Sequence, residues 1–240
     1  ADPVKVAVLV PDSGAAGLFG PSTRNAATLA AEQGAELALA EKTPALAASA
    51  LSALPKDSQA CAVAADLADD AATAHMVAQT IEELGGLDGI VINHAMLSSD
   101  DASPIDTPMQ SWHDTLDVNL GGAFRIYKAA LSHLVAQQSG SLVTLSSVVA
   151  HSASANPQIA YTTSKGALEA MTREIAMTYA RDNIRANCVA PGPVLTERTA
   201  HYVDTDEKWQ ARRKHIPMGR LGRPEEIAAL VCFLLSDAAA

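Results

Sequence analysis

Short apolar runs alternate with helical patterns along most of the chain. Residues 4–10 (VKVAVLV) are rich in β-branched side chains, residues 22–34 have helical spacing and close on Gly34, and residues 35–40 (AELALA) form a second apolar run. β-Branched runs favour strands, and a glycine directly after a helical pattern favours a helix end. The start of the chain therefore predicts a strand, a helix and a second strand.

The same alternation continues to residue 237. Strands are predicted at the apolar runs 60–66, 89–93, 140–147 and 184–192, and helices at 70–86, 112–138, 161–181 and 224–237. Strands that are apolar throughout and separated by helices are typical of a parallel sheet with both faces covered. The sequence thus predicts an α/β fold with a Rossmann-like, doubly wound parallel sheet.

The length of the chain favours one domain. Its 240 residues, of which 48% are hydrophobic, are enough for one sizeable core and few for two. One long segment, residues 192–222, is polar and matches neither pattern. Such a segment inside a compact domain is typically a lid or a binding loop. We therefore expect a single domain over residues 1–240 with a variable substrate loop at about 192–222.

Charge and composition exclude several classes of partner. The formal net charge of −10 disfavours binding to nucleic acid or to an anionic membrane surface. The three cysteines are widely spaced without a zinc-like pairing, and the seven histidines are not clustered with them, so we expect reduced thiols and no metal. No apolar run approaches the roughly 20 residues that span a bilayer. These features predict a cytoplasmic enzyme with a small-molecule substrate.

Tyr161 and Lys165 stand four residues apart where a helical pattern begins, so both side chains project from one face of that helix. A phenol becomes a usable base near neutral pH if its pKa falls by about three units, which requires about 4 kcal/mol. One ammonium at about 4 Å, with an effective dielectric constant near 20, supplies energy of that order. The spacing therefore predicts a proton-transferring pair.

Four further motifs accompany this Y-x-x-x-K pair in a fixed order. They are DVNLGGAF at 117–124, LSS at 145–147, NCVAPGPVLTERT at 187–199 and MGRLGRPEEIAALVCFLLSD at 218–237. Together they resemble the short-chain dehydrogenase/reductase family over nearly the whole chain. The resemblance implies that the catalytic residues are Asn119, Ser147, Tyr161 and Lys165. Ser146 stays an alternative, because Ser147 lies fourteen residues before Tyr161, one more than the family spacing.

The resemblance also implies the role of each residue. Tyr161 exchanges a proton with the substrate oxygen, and Lys165 lowers the pKa of that tyrosine and holds the nicotinamide ribose. Ser147 orients the substrate oxygen, and Asn119 holds a water that connects Lys165 to solvent. The implied reaction transfers a hydride between NAD(P)(H) and a carbonyl or secondary alcohol.

The cofactor residues implied by the resemblance are spread along the chain. They are Gly14, Gly17, Gly20, Glu41, Asp66, Asn93, Tyr161, Lys165, Pro191, Gly192, Val194 and Thr196. Asn93 lies in NHAM, which replaces the family's N-N-A-G, although the register INHA is equally consistent. Because Glu41 would bind an adenosine ribose and repel a 2′-phosphate, NAD(H) is predicted to be preferred, with NADP(H) possible through the neighbouring Lys42.

The loop VLVPDSGAAGLFGPST at 8–23 departs from the family's T-G-x-x-x-G-x-G. Its three glycines still permit a close approach to a pyrophosphate. Alternatively, Leu18 or Phe19 fills the cofactor cleft. In that case the chain is a cofactor-free structural or regulatory subunit, or a non-redox enzyme resembling halohydrin dehalogenases, which differ from this chain by an arginine at Lys165.

Three smaller expectations concern assembly, the last strand and the charged segments. In the resembling family the helices that start near Trp112 and Tyr161 form a dimer seam, which implies a homotetramer or homodimer. The family's usual strand after the last helix has no counterpart before Ala240, so either the sheet has one strand fewer or the chain stops early. The basic stretch 209–215 (WQARRKH) is either a solvated face or a receiver of a substrate carboxylate or phosphate.

Overall fold

Six parallel strands form a single sheet in the computed structural model, which describes residues 4–9 and 27–240. The strands are β1 (Lys5–Leu9), β2 (Glu36–Glu41), β3 (Ala60–Ala64), β4 (Gly89–Ile92), β5 (Gly140–Leu145) and β6 (Ile184–Val189). Their order is β3-β2-β1-β4-β5-β6, and every neighbouring pair is parallel. The predicted doubly wound α/β sheet is confirmed.

Helices connect the strands. The described part of α1 covers residues 27–32. It is followed by α2 (Pro44–Ser52), α3 (Asp70–Leu84), α4 (Met109–Leu116), α5 (Gly122–Gln137), α6 (Val149–Ser152), α7 (Ile159–Tyr179), α8 (Glu197–Ala200), α9 (Asp206–Arg213) and α10 (Pro224–Leu235). A π-helical turn, Asp117–Gly121, joins α4 to α5, and short 3₁₀ turns follow α7 and α10.

The sheet is buried on both faces, as the uniformly apolar strands predicted. In β4, Ile90 and Ile92 belong to one apolar cluster, together with side chains of α3, α5 and α7. The intervening Val91 belongs to a second cluster, together with side chains of α1, α2 and α10. Because successive side chains of a strand point to opposite faces, the two clusters lie on the two sides of the sheet.

The strand order places a topological switch between β1 and β4. From β1 the chain proceeds outward to β2 and β3, and it then crosses back to β4 on the other side of β1. In open parallel sheets ligands bind at the carboxyl ends of the strands at such a switch. Predicted site residues lie at the carboxyl end of five strands. Glu41 ends β2, and the others follow β3, β4, β5 and β6, namely Asp66, Asn93, Ser147 and Pro191.

Helix α2 is among those that the sequence pattern did not predict. The Thr43 hydroxyl accepts a hydrogen bond from the Leu46 N–H, and Pro44 occupies the first helical position. Both residues are favoured at helix starts. Local capping chemistry therefore signalled a helix where the apolar periodicity was weak.

Residues 192–222 are more ordered than the sequence pattern suggested, because they contain α8 and α9. The base of this segment is closed where Val194 pairs with Gly222 in an isolated bridge. The Leu195 N–H donates to the Gly222 carbonyl at 2.9 Å, and the Gly222 N–H donates to the Pro193 carbonyl at 2.9 Å. Residues 192–222 thus form an excursion from the domain, and backbone hydrogen bonds hold the two ends of that excursion together.

The predicted phosphate-binding glycines Gly14, Gly17 and Gly20 lie outside the described residues, as do Leu18 and Phe19. In the part of the chain that the structure describes, none of the helices combines the length and apolar character needed to cross a membrane.

Candidate active site

Helix α7 carries the predicted proton-transferring pair close to its start. Tyr161 and Lys165 are both buried, with 3% and 0% of their surface exposed. The Lys165 Nζ lies 5.6 Å from the centre of the Tyr161 ring. The structure therefore brings the two side chains together, as the four-residue spacing predicted.

Burial changes the acid–base behaviour of Lys165. Its Nζ donates a hydrogen bond to the Leu145 carbonyl at 2.7 Å, at the end of β5. Loss of hydration lowers the pKa of Lys165 to about 8, because burial disfavours the charged form of an amine. The group is thus an ammonium at neutral pH and loses its charge in mildly alkaline solution.

Asn119 lies in the π-helical turn and is fully buried. Its Oδ1 accepts a hydrogen bond from the Met96 N–H at 2.5 Å, and its Nδ2 donates to the Met96 carbonyl at 2.9 Å. The same Nδ2 donates to the Ser164 hydroxyl at 2.9 Å, and that hydroxyl donates to the Tyr161 carbonyl at 2.7 Å. The side-chain amide therefore ties the segment after β4 to helix α7. The water relay implied for Asn119 stays a prediction.

His94 was not singled out from the sequence, yet it supports the turn that carries Asn119. Its Nε2 lies 2.9 Å from the Val118 carbonyl. Burial, and secondarily the charge of Lys165, lower the pKa of His94 to about 4, so the ring is neutral at pH 7. Because a carbonyl can only accept a hydrogen bond, the neutral ring carries its proton on Nε2, the nitrogen that faces Val118. The signal in the sequence was the histidine in the second position of NHAM.

The structure distinguishes the two candidate serines at the end of β5. The Ser146 hydroxyl is fully buried, and its single proton faces two acceptors, the Lys165 carbonyl at 3.0 Å and Glu169 Oε1 at 2.8 Å. The Ser147 Oγ accepts a weak hydrogen bond from the Val149 N–H at 3.4 Å, and among the described residues none accepts its proton. Ser146 therefore has a structural role in holding α7, which supports Ser147 as the substrate-facing serine.

Three charged side chains lie at the carboxyl ends of β2 and β3. Glu41 is 5% exposed, and its Oε2 accepts a hydrogen bond from the Lys42 N–H at 3.1 Å. The Lys42 Nζ lies 3.1 Å from Asp66 Oδ2, and Asp66 Oδ1 accepts from the Ala68 N–H. The Ala68 N–H, and then Lys42, lower the pKa of Asp66. Lys42 thus forms an ion pair with Asp66.

The predicted nicotinamide-side segment starts beside Ser147, where the Val148 N–H donates to the Pro191 carbonyl at 3.0 Å. Gly192 is exposed, and a Cβ there would meet nothing within 4 Å. Val194 is buried at the base of the excursion. The Thr196 hydroxyl accepts from the Thr199 N–H at 3.2 Å, so Thr196 caps helix α8.

The basic stretch at 209–215 lies on the outer part of this excursion. Most side chains of α9 are exposed, and the guanidinium of Arg212 lies 4.5 Å from the centre of the Tyr202 ring. Lys208, just before the stretch, pairs with Asp204 at 2.7 Å. These contacts are typical of a solvated face.

No disulfide joins the three cysteines, and two of them, Cys61 and Cys188, are partly buried. Burial raises the pKa of Cys61 to about 12 and that of Cys188 to about 11. Within residues 4–9 and 27–240, no three histidine, cysteine or acidic side chains are grouped so that they could hold a metal ion.

Comparisons with known proteins match nearly the whole chain. The model of a family described as enoyl-(acyl carrier protein) reductase matches residues 23–240. Glucose 1-dehydrogenase 2 of Bacillus subtilis is 35% identical over 185 residues, which are 75% of this chain and 69% of that protein. A Xanthobacter autotrophicus protein named inactive 2-(S)-hydroxypropyl-CoM dehydrogenase 2 is 35% identical over 89% of this chain and 93% of its own. The crystal structure of NAD⁺-bound xylitol dehydrogenase matches with a TM-score of 0.85 and 25% identity, covering 98% of this chain and 93% of that one.

The lowered pKa of Lys165 predicts a specific pH dependence of stability. Unfolding takes up a proton between about pH 8 and the ordinary lysine value near 10.4, so the free energy of unfolding rises with pH in that window. Lys165→Met removes the buried ammonium. Relative to the wild type, the variant should therefore lose about 3 kcal/mol of free energy of unfolding between pH 8 and pH 10.5. Urea unfolding at several pH values measures this difference.

A matched control is Lys56→Met, which changes an exposed lysine. Its difference from the wild type should stay constant over the same range. A Lys165→Met difference that is also independent of pH would show that Lys165 titrates like an exposed lysine.

Proposed function

This chain belongs to the short-chain dehydrogenase/reductase family, and from that premise we propose that Tyr161 and Lys165 are its proton-transferring pair. The protein is an NAD(P)(H)-dependent oxidoreductase that acts on alcohol or carbonyl substrates, which are small molecules. One observation carries the proposal, namely the buried Lys165 Nζ 5.6 Å from the Tyr161 ring centre on helix α7.

The residues present fit a dinucleotide at the switch between β1 and β4. Glu41 presents a carboxylate at the end of β2, which suits the hydroxyl groups of a ribose. We propose that Asp66 and Asn93 contact the adenosine portion, and that Pro191, Gly192, Val194 and Thr196 line the nicotinamide side. When bound, the nicotinamide donates or accepts the hydride, and the protein aligns the reacting groups.

The Lys165 ammonium lies close to the Tyr161 ring, with 5.6 Å between its Nζ and the ring centre. A positive charge near a phenol favours the ionised form. Tyr161 would then exchange a proton with the substrate oxygen, and Ser147 would donate a hydrogen bond to that oxygen. Asn119 would complete the route from Lys165 to solvent through a bound water.

Substrate selection is proposed to lie on residues 192–222. The base of this excursion is fixed next to Ser147 through Pro191 and is closed between Val194 and Gly222. Helices α8 and α9 extend from that base, and α9 carries mostly exposed side chains. A cytoplasmic location is proposed as well, because no disulfide joins the three cysteines.

Tyr161→Phe tests the proposed chemistry, because it deletes the transferable proton and little volume. With glucose and xylitol as alcohols and NAD⁺ as cofactor, kcat should fall at least a hundredfold, in line with the usual contribution of a positioned acid or base. The dissociation constant for NADH, measured by fluorescence titration, should stay within twofold. Tyr179→Phe, at the far end of the same helix, is the control and should keep wild-type kcat.

Two outcomes would contradict the proposed function. Substantial turnover by Tyr161→Phe would show that another residue transfers the proton. No saturable NADH binding by the wild type at millimolar cofactor would favour the cofactor-free subunit or the dehalogenase-like enzyme. One relative is itself named inactive, so the titration of the wild type with NADH is informative.

NAD(H) is the proposed preferred cofactor. The Glu41 carboxylate would repel a 2′-phosphate, and Lys42 is paired with Asp66. The affinity for NADH should exceed that for NADPH more than tenfold, and Glu41→Ser should narrow the ratio mainly by tighter NADPH binding. Glu36→Ser, at the opposite end of β2, should leave the ratio unchanged. A clear preference of the wild type for NADPH would instead identify Lys42 as the group that selects the cofactor.

A homotetramer or homodimer is proposed from the apolar side chains that α5 and α7 expose. Phe124 on α5 is 56% exposed and Met177 on α7 is 79% exposed. Sedimentation velocity at micromolar concentration should show a dimer or tetramer. Phe124→Glu should shift the distribution toward smaller species, whereas Ile105→Glu, on an exposed residue outside both helices, should not. A wild-type monomer would contradict the proposal.

A further inference from the structure

A carboxylate from a distant segment binds the first turn of helix α7. Asp101 lies between β4 and α4 and is 9% exposed. Its Oδ1 accepts a hydrogen bond from the Ala160 N–H at 3.0 Å, and its Oδ2 accepts one from the Tyr161 N–H at 2.9 Å. One side chain therefore binds the backbone of the proposed catalytic tyrosine directly.

The first amides of a helix have no intrahelical acceptor and need one from elsewhere. The residue that precedes α7, Gln158, makes no side-chain capping hydrogen bond to the described residues. The Ile159 N–H donates to the Ala102 carbonyl at 3.2 Å, beside the two amides that Asp101 binds. The acceptors for this helix start are thus supplied from about sixty residues earlier in the chain.

The backbone of Tyr161 is held on both sides. Its N–H is bound by Asp101, and its carbonyl accepts from the Ser164 hydroxyl, which in turn accepts from Asn119. Asn119 also holds Met96, so the segment from Met96 to Asp101 is connected to α7 at both of its ends. The position of Tyr161 therefore depends on this segment.

We propose that Asp101 is a positioning residue, which fixes Tyr161 relative to Ser147 and Lys165. The proposal rests on the function proposed above for Tyr161. Lys165 has a separate anchor, because its Nζ donates to the Leu145 carbonyl. Loss of the Asp101 contacts displaces the tyrosine with respect to an ammonium that stays in place. Misplacement of a reacting group by about 1 Å can cost a hundredfold in rate, whereas cofactor contacts far from Tyr161 are little affected.

The test compares two aspartates that cap helices. Asp101→Asn keeps one acceptor oxygen and turns an NH₂ toward the second amide, with nearly unchanged volume. Asp69→Asn is the matched control, since Asp69 Oδ1 accepts from the Ala72 N–H at 2.7 Å at the start of α3. With glucose and xylitol as alcohols, Asp101→Asn should lower kcat at least tenfold and change KM and the NADH dissociation constant less than threefold. Asp69→Asn keeps the capping oxygen and should keep wild-type kcat.

A second measurement does not require turnover. Amide hydrogen exchange should accelerate at least tenfold at residues 160–164 in Asp101→Asn and not in Asp69→Asn. Unchanged exchange there, or equal losses of kcat in the two variants, would overturn the positioning role. If Asp101→Asn does not fold, Asp101→Glu is measured in the same way, since it keeps the charge and misplaces the two oxygens. Turnover that persists in Tyr161→Phe refutes the proposed function instead, and the exchange result then still decides whether Asp101 orders the helix start.

Discussion

The amide of Asn119 is the interaction on which the geometry of the candidate site depends. It makes a two-way hydrogen-bonded pair with the backbone of Met96 and a third hydrogen bond to Ser164. All three contacts are buried or partly buried, where an unmade hydrogen bond is costly. A helix in the normal α-helical register would turn this side chain differently, so the π-helical turn and the orientation of the amide are linked. His94 supports the same turn by binding the Val118 carbonyl.

Burial of Lys165 has a cost in stability. An ammonium that loses hydration destabilises the fold, and the lowered pKa of Lys165 expresses that cost. The hydrogen bond to the Leu145 carbonyl offsets part of it. The neutral state of His94 avoids placing a second cation in the same region. The catalytic role proposed for Lys165 would fit the general observation that residues needed for activity can lower stability.

The pattern of apolar residues predicted the sheet because each strand is apolar throughout, and the i, i+4 spacing predicted the proximity of Tyr161 and Lys165. Local capping at Thr43 and Pro44 predicts α2 once capping is considered beside periodicity. The Asp101 contact was not predictable, since it joins residues about sixty positions apart and depends on how two loops meet. The difference between Ser146 and Ser147 was likewise not predictable, because it lies in the side-chain contacts that each hydroxyl makes. The functional roles of these residues, and of Glu41 and Asp66, stay predictions.

The strand order has a consequence for folding of the chain while it is being synthesised. β1 can pair with β2 only after residue 41 has been synthesised, and its other edge pairs with β4, which begins at Gly89. Until then that edge presents unpaired backbone groups, and exposed strand edges invite association with other chains. The contacts of Asp101 form later still, because their partners start at residue 160. The residues of the first five strands are therefore synthesised before the residues of the candidate site can meet. Chaperones that shield strand edges would act before the candidate site forms.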